Sequence, residues 1–236
     1  MQSLNISDVY LKCIRCGYEM EARDPSLLLS ANCPRCNGFI LLRYNNPRFK
    51  VRRNERGIWR YSILPLFESK VTLGEGLTPV SKVENVFVKD EKFNPTGLYS
   101  DRASALLASF VKDLGLKKLC VEYSPEFTKS IIQYLEGLDL SIYSDSIMSI
   151  DPDDLLFFAT RDIEIEVDIN PASFFIQYEN PLTIEGLKTI VFELFEKEID
   201  VENIVVPAKT GILALSIYKG ILDLAEAGVY TNYQAI

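Results

Sequence analysis

The chain has 236 residues, 47% of them hydrophobic, and a formal net charge of −8. This length allows one large domain or two smaller ones with a real core, and no run approaches the roughly 20 apolar residues of a membrane span. The chain contains no histidine, which excludes the commonest general base and any Ser-His or Cys-His nucleophile pair.

The N-terminus and the charge distribution predict a cytoplasmic protein with an uneven surface. Residues 1–10 lack the basic start and apolar stretch of a signal peptide, and no membrane contact is expected. Residues 1–60 contain eleven Lys or Arg and five Asp or Glu, whereas the remainder contains 14 basic and 28 acidic residues. We expect the basic part to dock on the acidic body, although such a segment can also contact nucleic acid.

Four cysteines form two C-x2-C pairs separated by sixteen residues, Cys13 with Cys16 and Cys33 with Cys36. This spacing is typical of a zinc ribbon, in which two tight turns direct four thiolates at one tetrahedral ion. Disulfides are the alternative, which a cytoplasmic location disfavours. Because the protein would fill all four positions, the zinc would be structural, in a ribbon domain of residues 1–46.

A basic stretch follows the ribbon. Between residues 43 and 60 the chain has seven Lys or Arg and one acidic residue. We interpret it as a solvated linker that runs from the break at Asn45-Asn46-Pro47 to about residue 56. Aromatic residues interleave these cations, which would also suit nucleic-acid binding. They are Tyr44, Phe49, Trp59 and Tyr61.

Residues 91–102 read EKFNPTGLYSDR and separate a predicted strand at residues 85–89 from a predicted helix. The helix has apolar residues at helical spacing: Ala103, Leu106, Leu107, Phe110, Val111 and Leu114. A strand, a turn and a helix N-terminus together favour an anion site. The sequence predicts four further strands, at residues 118–123, 139–143, 163–167 and 200–207. The first should contain a buried Cys120, and the last should be a buried strand. Further helices are predicted to begin near Phe127, Ile184 and Ile212.

The nine residues Asn94-Pro95-Thr96-Gly97-Leu98-Tyr99-Ser100-Asp101-Arg102 resemble the cofactor loop N-P-T-G-S-F-K-D-R of the threonine synthase family. This family is part of the fold-type II pyridoxal phosphate (PLP) enzymes. Further stretches resemble family motifs in the same order. They are Gly57-Ile58-Trp59-Arg60-Tyr61, Leu73-Gly74-Glu75-Gly76-Leu77-Thr78-Pro79-Val80, Asn180-Pro181 with Glu185-Gly186-Leu187-Lys188-Thr189, and the N-terminal ribbon.

The resemblance implies an α/β fold, an open sheet with helices on both faces, preceded by the ribbon. Residues 57–236 would form this PLP-enzyme-like domain. Compared with the family, we expect an internal deletion near residues 145–170 and a missing C-terminal end, which in the family supplies strands and the residue facing the pyridine nitrogen.

The resemblance also places the family's cofactor contacts, and most are changed. Ser100 stands where the family has the lysine that forms the imine with PLP, and a hydroxyl cannot form one. Glu126 and Phe127 replace a glycine and the asparagine that holds the phenolic oxygen. Lys209 flanks Gly211, the remaining glycine of the phosphate loop. The other vestigial positions are Asn94, Thr96, Gly97, Thr128 and Thr210.

These losses predict a threonine synthase-like pseudoenzyme of amino-acid metabolism, a non-catalytic binding or regulatory subunit with structural zinc and no covalently bound PLP. Expected partners are a second copy, an active paralogue or a small anionic metabolite. One alternative is a PLP-dependent lyase related to threonine synthase, with Lys209 as a displaced lysine. The other is a zinc-ribbon nucleic-acid-binding protein.

Overall fold

The structure is a computed structural model that describes residues 9–22, 25–29, 32–168, 174–199 and 202–229. The described strands form an antiparallel three-stranded sheet, a two-stranded hairpin and a parallel four-stranded sheet. The predicted α/β class is confirmed, because helices alternate with the strands of the parallel sheet.

The N-terminal sheet has the strand order β2-β1-β3. Its elements are β1 (Val9–Cys13), β2 (Glu19–Glu21), the short helix α1 (Pro25–Leu29) and β3 (Ile40–Tyr44). Leu11 and Leu42 lie opposite each other on neighbouring strands and are both buried. This small sheet therefore has a core side of its own, which continues into the core of the rest of the chain.

The hairpin and the parallel sheet follow. The hairpin consists of β4 (Val80–Val83) and β5 (Val86–Lys89), and 3-10 turns span Gly57–Arg60, Glu91–Phe93 and Ile147–Ser149. The parallel sheet has the order β8-β7-β6-β9. Its strands are β6 (Lys118–Glu122), β7 (Asp139–Tyr143), β8 (Glu164–Glu166) and β9 (Phe174–Ile176). Helix α2 (Asp101–Asp113) precedes them, and α3 (Thr128–Tyr134) and α4 (Pro152–Ala159) lie between them in the chain. The helices after β9 are α5 (Pro181–Leu187), α6 (Thr189–Glu196) and α7 (Ile212–Glu226).

Most predicted elements are present. The apolar stripe of α2 is buried from Ala103 to Val111, β6, β7 and β8 lie where strands were predicted, and Cys120 is a buried core residue of β6. Phe127, Ile131 and Leu135, which were predicted to share one helix face, are all buried. Burial extends beyond the predicted stripe, because every residue of α2 from Asp101 to Val111 is buried.

The predicted buried strand at residues 200–207 is wrong over its described part, residues 202–207. None of those residues belongs to a strand, and the Val205 side chain is 94% exposed. Asp200 and Val201 lie outside the described residues. The apolar run Ile204-Val205-Val206 has strand chemistry, but a strand also needs a neighbour to complete its hydrogen bonds, and no described strand lies beside it.

The basic stretch is a docked segment at both ends rather than a solvated linker throughout. Arg43 pairs with Glu226, and Arg60 is buried with its Nη2 2.5 Å from Glu196 Oε1. The cations between them are exposed: Arg48, Lys50, Arg52, Arg53 and Arg56. The basic N-terminal part thus contacts acidic residues of α6 and α7, which is the docking expected from the charge distribution.

Helices α2 and α5 approach each other backbone to backbone at Gly186. A Cβ placed on Gly186 would lie 2.6 Å from the Cα of Ala103, a distance that real Cβ atoms do not show. Only glycine therefore permits this contact. The close packing fixes the start of α2, and with it the loop that precedes α2.

A buried ion network surrounds Arg102 at the first turn of α2. Its Nε lies 2.7 Å from Glu91 Oε2, and its guanidinium also binds Glu193. Lys89 Nζ lies 2.7 Å from Glu193 Oε2. Burial alone would raise the pKa of Glu91, but Arg102 and Lys89 lower that pKa to about 2. The network links the hairpin, α2 and α6.

A second buried network joins the N-terminal sheet to the body. Lys188 Nζ lies 2.6 Å from Asp223 Oδ2, and Lys219 Nζ lies 2.5 Å from Asp223 Oδ1. Both lysines also approach Glu185, which accepts a hydrogen bond from the hydroxyl of Tyr44 in β3. Two cations thus balance two carboxylates between β3, α5 and α7.

Substitution of Glu193 with Gln should lower the free energy of unfolding by about 3–5 kcal/mol, because it leaves the buried Arg102 and Lys89 with one carboxylate instead of two. Chemical denaturation followed by circular dichroism measures this change.

The matched control is Glu19→Gln, which breaks an exposed pair with Lys12 at 2.7 Å. It should cost less than about 1 kcal/mol. Equal losses from the two substitutions would contradict the structural role assigned to the buried network.

Candidate functional site

The loop before α2 is held by side chains that cap and cross it. Asp101 accepts hydrogen bonds from the backbone amide and hydroxyl of Thr96 and, at 2.6 Å, from the hydroxyl of Ser130. Asn94 accepts one from the Gly76 amide at 2.9 Å. Gly97 has a φ of 81°, which suits glycine. Asn94, Thr96 and Gly97 therefore shape the loop.

Ser100 is fully buried at the end of this loop. Its hydroxyl donates to the backbone carbonyl of Glu126, in the loop that follows β6. The side chain thus ties two loops together and is occupied within the protein. Thr128, the first residue of α3, is also engaged within the protein, because its hydroxyl accepts a hydrogen bond from the Ser124 amide at 2.8 Å.

Aromatic rings fill the space between these loops. Phe127 is fully buried, and its ring centroid lies 5.1 Å from that of Tyr178. The Tyr178 hydroxyl lies 3.1 Å from the Tyr99 hydroxyl. Burial raises the pKa of both tyrosines, so both hydroxyls remain protonated near neutral pH. Phe127 therefore packs as a core residue against Tyr178.

A cavity of about 20 Å³ lies where three predicted loops meet. They are the loop before α2, the loop after β6 and the loop before α7. Its lining includes Tyr99, Glu126, Tyr178 and residues 207–213. Of the sequence-predicted positions, Lys209, Thr210 and Gly211 line it, whereas Asn94, Thr96, Gly97, Ser100, Phe127 and Thr128 do not. The fold thus brings the predicted loops together, but several of their side chains pack into the protein interior instead of lining the cavity.

The cavity does not fit PLP in this arrangement. It has room for about one water molecule, whereas cofactor-sized ligands occupy sites of roughly 300–1,000 Å³. The side chain of Tyr178 occupies part of the space between the loops, and no sequence motif had indicated this residue. It follows β9, whose carboxyl end lies beside that of β6, and only the strand order reveals this proximity.

The loop before α7 forms the open side of the cavity. Lys209 and Thr210 are exposed, and Gly211 precedes the fifteen-residue α7 with a φ of 86°. Thr210 Oγ1 accepts a hydrogen bond from the Ile212 amide at 3.4 Å. This rim combines an amine with a helix N-terminus, a pairing that favours small anions.

The four ribbon cysteines come together at the turns beside β1 and β3. Their sulfur atoms all lie within 4.8 Å of one another, with Cys13 and Cys36 3.5 Å apart and Cys16 and Cys33 3.7 Å apart. Tetrahedral zinc with Zn–S bonds of about 2.3 Å requires sulfur atoms roughly 3.8 Å apart. The cluster could therefore hold a metal ion, and its sulfurs are too far apart for disulfide bonds of about 2.05 Å.

Backbone geometry presents these thiols. The amide of Gly17 donates to the Cys13 carbonyl at 3.0 Å, and that of Asn37 to the Cys33 carbonyl at 2.9 Å. Gly17 and Asn37 both have positive φ angles. Burial alone would raise the pKa of Cys13, but hydrogen bonds from the backbone amides of Cys16 and Arg15, together with those to the neighbouring thiols, lower that pKa to about 6.

The aromatic residues of the basic stretch are not available as stacking platforms. Trp59 and Tyr61 are buried. The Phe49 ring packs with Tyr61 and with Phe192 of α6 at 5.1 Å, and Tyr44 belongs to the buried network described above. The exposed cations of this stretch therefore lack the interleaved rings that favoured nucleic-acid binding. None of the helices in the described ranges is long and apolar enough to cross a bilayer.

The chain matches no family model. Two curated relatives are threonine synthases. That of Methanosarcina acetivorans is 23% identical over 254 residues, which cover 93% of this chain and 62% of that enzyme. That of Methanocaldococcus jannaschii is 24% identical over 262 residues, which cover 92% of this chain and 62% of that enzyme. The chain thus spans 62% of the length of these relatives.

Two solved structures share its fold. A fungal L-serine ammonia-lyase from Rhizomucor miehei has a TM-score of 0.52 at 17% identity, covering 68% of this chain and 57% of that chain. A pyridoxal 5'-phosphate-dependent aspartate racemase has a TM-score of 0.52 at 16% identity, and the match covers 64% of this chain and 55% of that chain. The chain therefore has the α/β fold of the fold-type II PLP-dependent enzymes, and its sequence is similar to that of threonine synthases.

Proposed function

We propose that this chain is a threonine synthase-like protein that has lost PLP-dependent catalysis and acts as a binding or regulatory subunit. The observation that carries the proposal is the cavity of about 20 Å³ at the meeting point of the three vestigial loops. A catalytic site of this family needs room there for a cofactor and a substrate.

The chemistry at Ser100 supports the same conclusion. By resemblance this position belongs to the lysine that binds PLP, and a hydroxyl cannot form an imine. The Ser100 hydroxyl is also buried and engaged with the Glu126 carbonyl. Among the residues that line the cavity, the amine is that of Lys209, which is exposed on the opposite loop.

A small anion is the ligand class that suits the remaining cleft. Lys209 and the N-terminus of α7 offer positive charge at its rim, while Glu126 and the two tyrosines narrow its interior. A regulatory role would then act through such a metabolite or through a protein partner such as an active paralogue. Neither role requires a step of PLP chemistry.

Titration of the purified protein with PLP should produce no imine absorbance band, because the cavity is too small for the cofactor and Ser100 offers no amine at the position of the family's lysine. Borohydride reduction followed by peptide mass spectrometry checks for covalent attachment. The Methanosarcina acetivorans threonine synthase serves as the positive control. A reducible imine on Lys209 would contradict the proposal and favour the alternative, a PLP-dependent lyase with a displaced lysine.

Ser100→Lys alone should not restore PLP binding. The new ammonium would be buried without a partner, which should lower the free energy of unfolding by about 3–5 kcal/mol. The control Ser100→Ala removes the hydroxyl without adding charge and should cost about 1–3 kcal/mol. Thermal denaturation and the PLP titration measure both effects. An imine band in Ser100→Lys would show that the cleft opens for the cofactor.

We also propose that the cysteine cluster holds a structural zinc ion. The four thiols and the sulfur separations suit tetrahedral zinc, and four protein ligands leave no position for a substrate. The ion would complete the small N-terminal sheet, whose strand β3 carries Tyr44 into the buried network with Glu185. Zinc would thereby support the docking of the sheet on α5 and α7.

Metal analysis should find one zinc ion per chain, and Cys33→Ser should bind less zinc and unfold at a lower temperature. Elemental analysis and a thermal melt measure these properties. Cys120→Ala is the matched control, because Cys120 lies in β6 outside the cluster and should keep the full zinc content. Undiminished zinc in Cys33→Ser would contradict the assignment.

A further inference from the structure

A larger cavity, of about 580 Å³, lies at the edge of the parallel sheet where β7 and β8 begin. Its lining comes from the end of α3 and the turn into β7, from the turn between α4 and β8, and from Leu73. The candidate site lies beyond the carboxyl ends of β6 and β9. The two cavities are therefore at opposite edges of the sheet, and none of the site residues predicted from the sequence lines the larger one.

Buried groups hold the walls of this cavity in place. Glu75 is fully buried, and its Oε2 accepts hydrogen bonds from the Leu73 amide and from the Tyr134 hydroxyl of α3, both at 3.1 Å. The Leu138 amide donates to the Leu135 carbonyl at 3.2 Å, which closes the turn before β7. The walls are thus fixed by contacts within the protein, as they are at most small-molecule sites.

The volume and the walls of the cavity suit a small organic molecule. Sites for such ligands usually have volumes of roughly 300–1,000 Å³ and largely apolar walls. Six residues of the lining are aliphatic: Leu73, Ile132, Leu135, Leu138, Leu140 and Ile163. Leu73 is 51% exposed, so its side chain is accessible to a ligand. A hydrocarbon group in the cavity would cover this apolar surface.

The charged residues of the lining favour a cation. They are Glu136, Asp139, Arg161 and Asp162. Asp139 pairs with Lys118 at 3.6 Å, and the Arg161 guanidinium lies 3.8 Å from the centroid of an aromatic ring of α4. Glu136 and Asp162 form no ion pair and no side-chain hydrogen bond with another described residue. Two carboxylates are thus available to a cation at this cavity, whereas an anion would meet three carboxylates and one guanidinium.

We propose that this cavity binds a small amphipathic amine, in which a primary ammonium group is attached to a hydrocarbon body. The ammonium pairs with the available carboxylates of Glu136 and Asp162, and the hydrocarbon lies against the aliphatic residues. Apolar contact and charge complementarity both act at this site, so neither a neutral analogue nor an anionic one can replace the amine. The cavity is separate from the candidate site, and the amine therefore binds whether or not the protein has lost PLP-dependent catalysis.

Isothermal titration calorimetry of the full chain with n-hexylamine tests the proposal. One amine should bind per chain, and its dissociation constant should rise with salt concentration because the carboxylates are exposed. Hexan-1-ol has the same hydrocarbon without the charge, and hexanoate carries the opposite charge. Both should bind at least about tenfold more weakly than the amine. Absence of amine binding, or hexanoate binding as tight as that of the amine, would overturn the proposal.

Leu73→Arg locates the bound amine. The substitution adds a cation and a longer side chain to the wall, and it should raise the dissociation constant at least about tenfold. Leu66→Arg is the matched control, because Leu66 is 69% exposed and does not line the cavity. It should leave the constant unchanged. Thermal melts confirm that both variants are folded, and equal binding by folded Leu73→Arg and the wild type would contradict the site.

Asp162→Asn isolates the contribution of one carboxylate. Asp162 has a φ of 54°, a backbone conformation that asparagine also adopts readily. The substitution should weaken binding of n-hexylamine at least about threefold and leave binding of hexan-1-ol unchanged. Asp145→Asn is the control, since Asp145 is exposed after the carboxyl end of β7, and it should bind the amine like the wild type. Equal losses in both variants would show non-specific attraction to acidic surface and would rule out the site.

Discussion

The rest of the structure depends on the buried position of Arg102 between Glu91 and Glu193. Arg102 opens α2, Glu91 belongs to the turn before the vestigial cofactor loop, and Glu193 lies in α6. A single guanidinium thus connects two neighbouring elements with α6, whose Glu193 lies 91 residues further along the chain. A buried charge without its partners costs free energy, so displacement of any one of these elements would destabilise the other two. The backbone contact at Gly186 adds a steric constraint to this electrostatic one.

Under the proposed function, this frame is kept while the chemistry of the candidate site is lost. By the resemblance, Ser100 and Phe127 stand at positions that threonine synthases use for the cofactor, and here both contribute to the interior. One donates a hydrogen bond between loops, and the other packs its ring against Tyr178. Their burial adds cohesion that a cofactor would otherwise supply. In this interpretation, the small cavity results from side chains that stabilise the protein instead of contacting a ligand.

The elements that the sequence predicted well are those whose apolar residues recur at helical spacing or form a short apolar run. The stripe of α2 and the strands β6 and β7 could be recognised because hydrophobic periodicity reports burial locally. The resemblance placed Lys209 and Gly211 near Glu126, and the structure brings them around one cavity. Tyr178 and the network of Tyr44, Lys188 and Asp223 could not be predicted, because their partners are distant in sequence and meet only once the strand and helix order is known.

The failed strand at residues 202–207 belongs to another class. Its composition was interpreted correctly as strand chemistry, but strand formation is a property of a pair, and the described chain offers no partner. The two ion networks, by contrast, balance their charges within one chain, so the frame is electrostatically complete. Among the described residues, the hairpin and Val205 leave apolar side chains exposed. The cohesion of the frame therefore comes from the buried charges and the core, and these exposed valines contribute little to it.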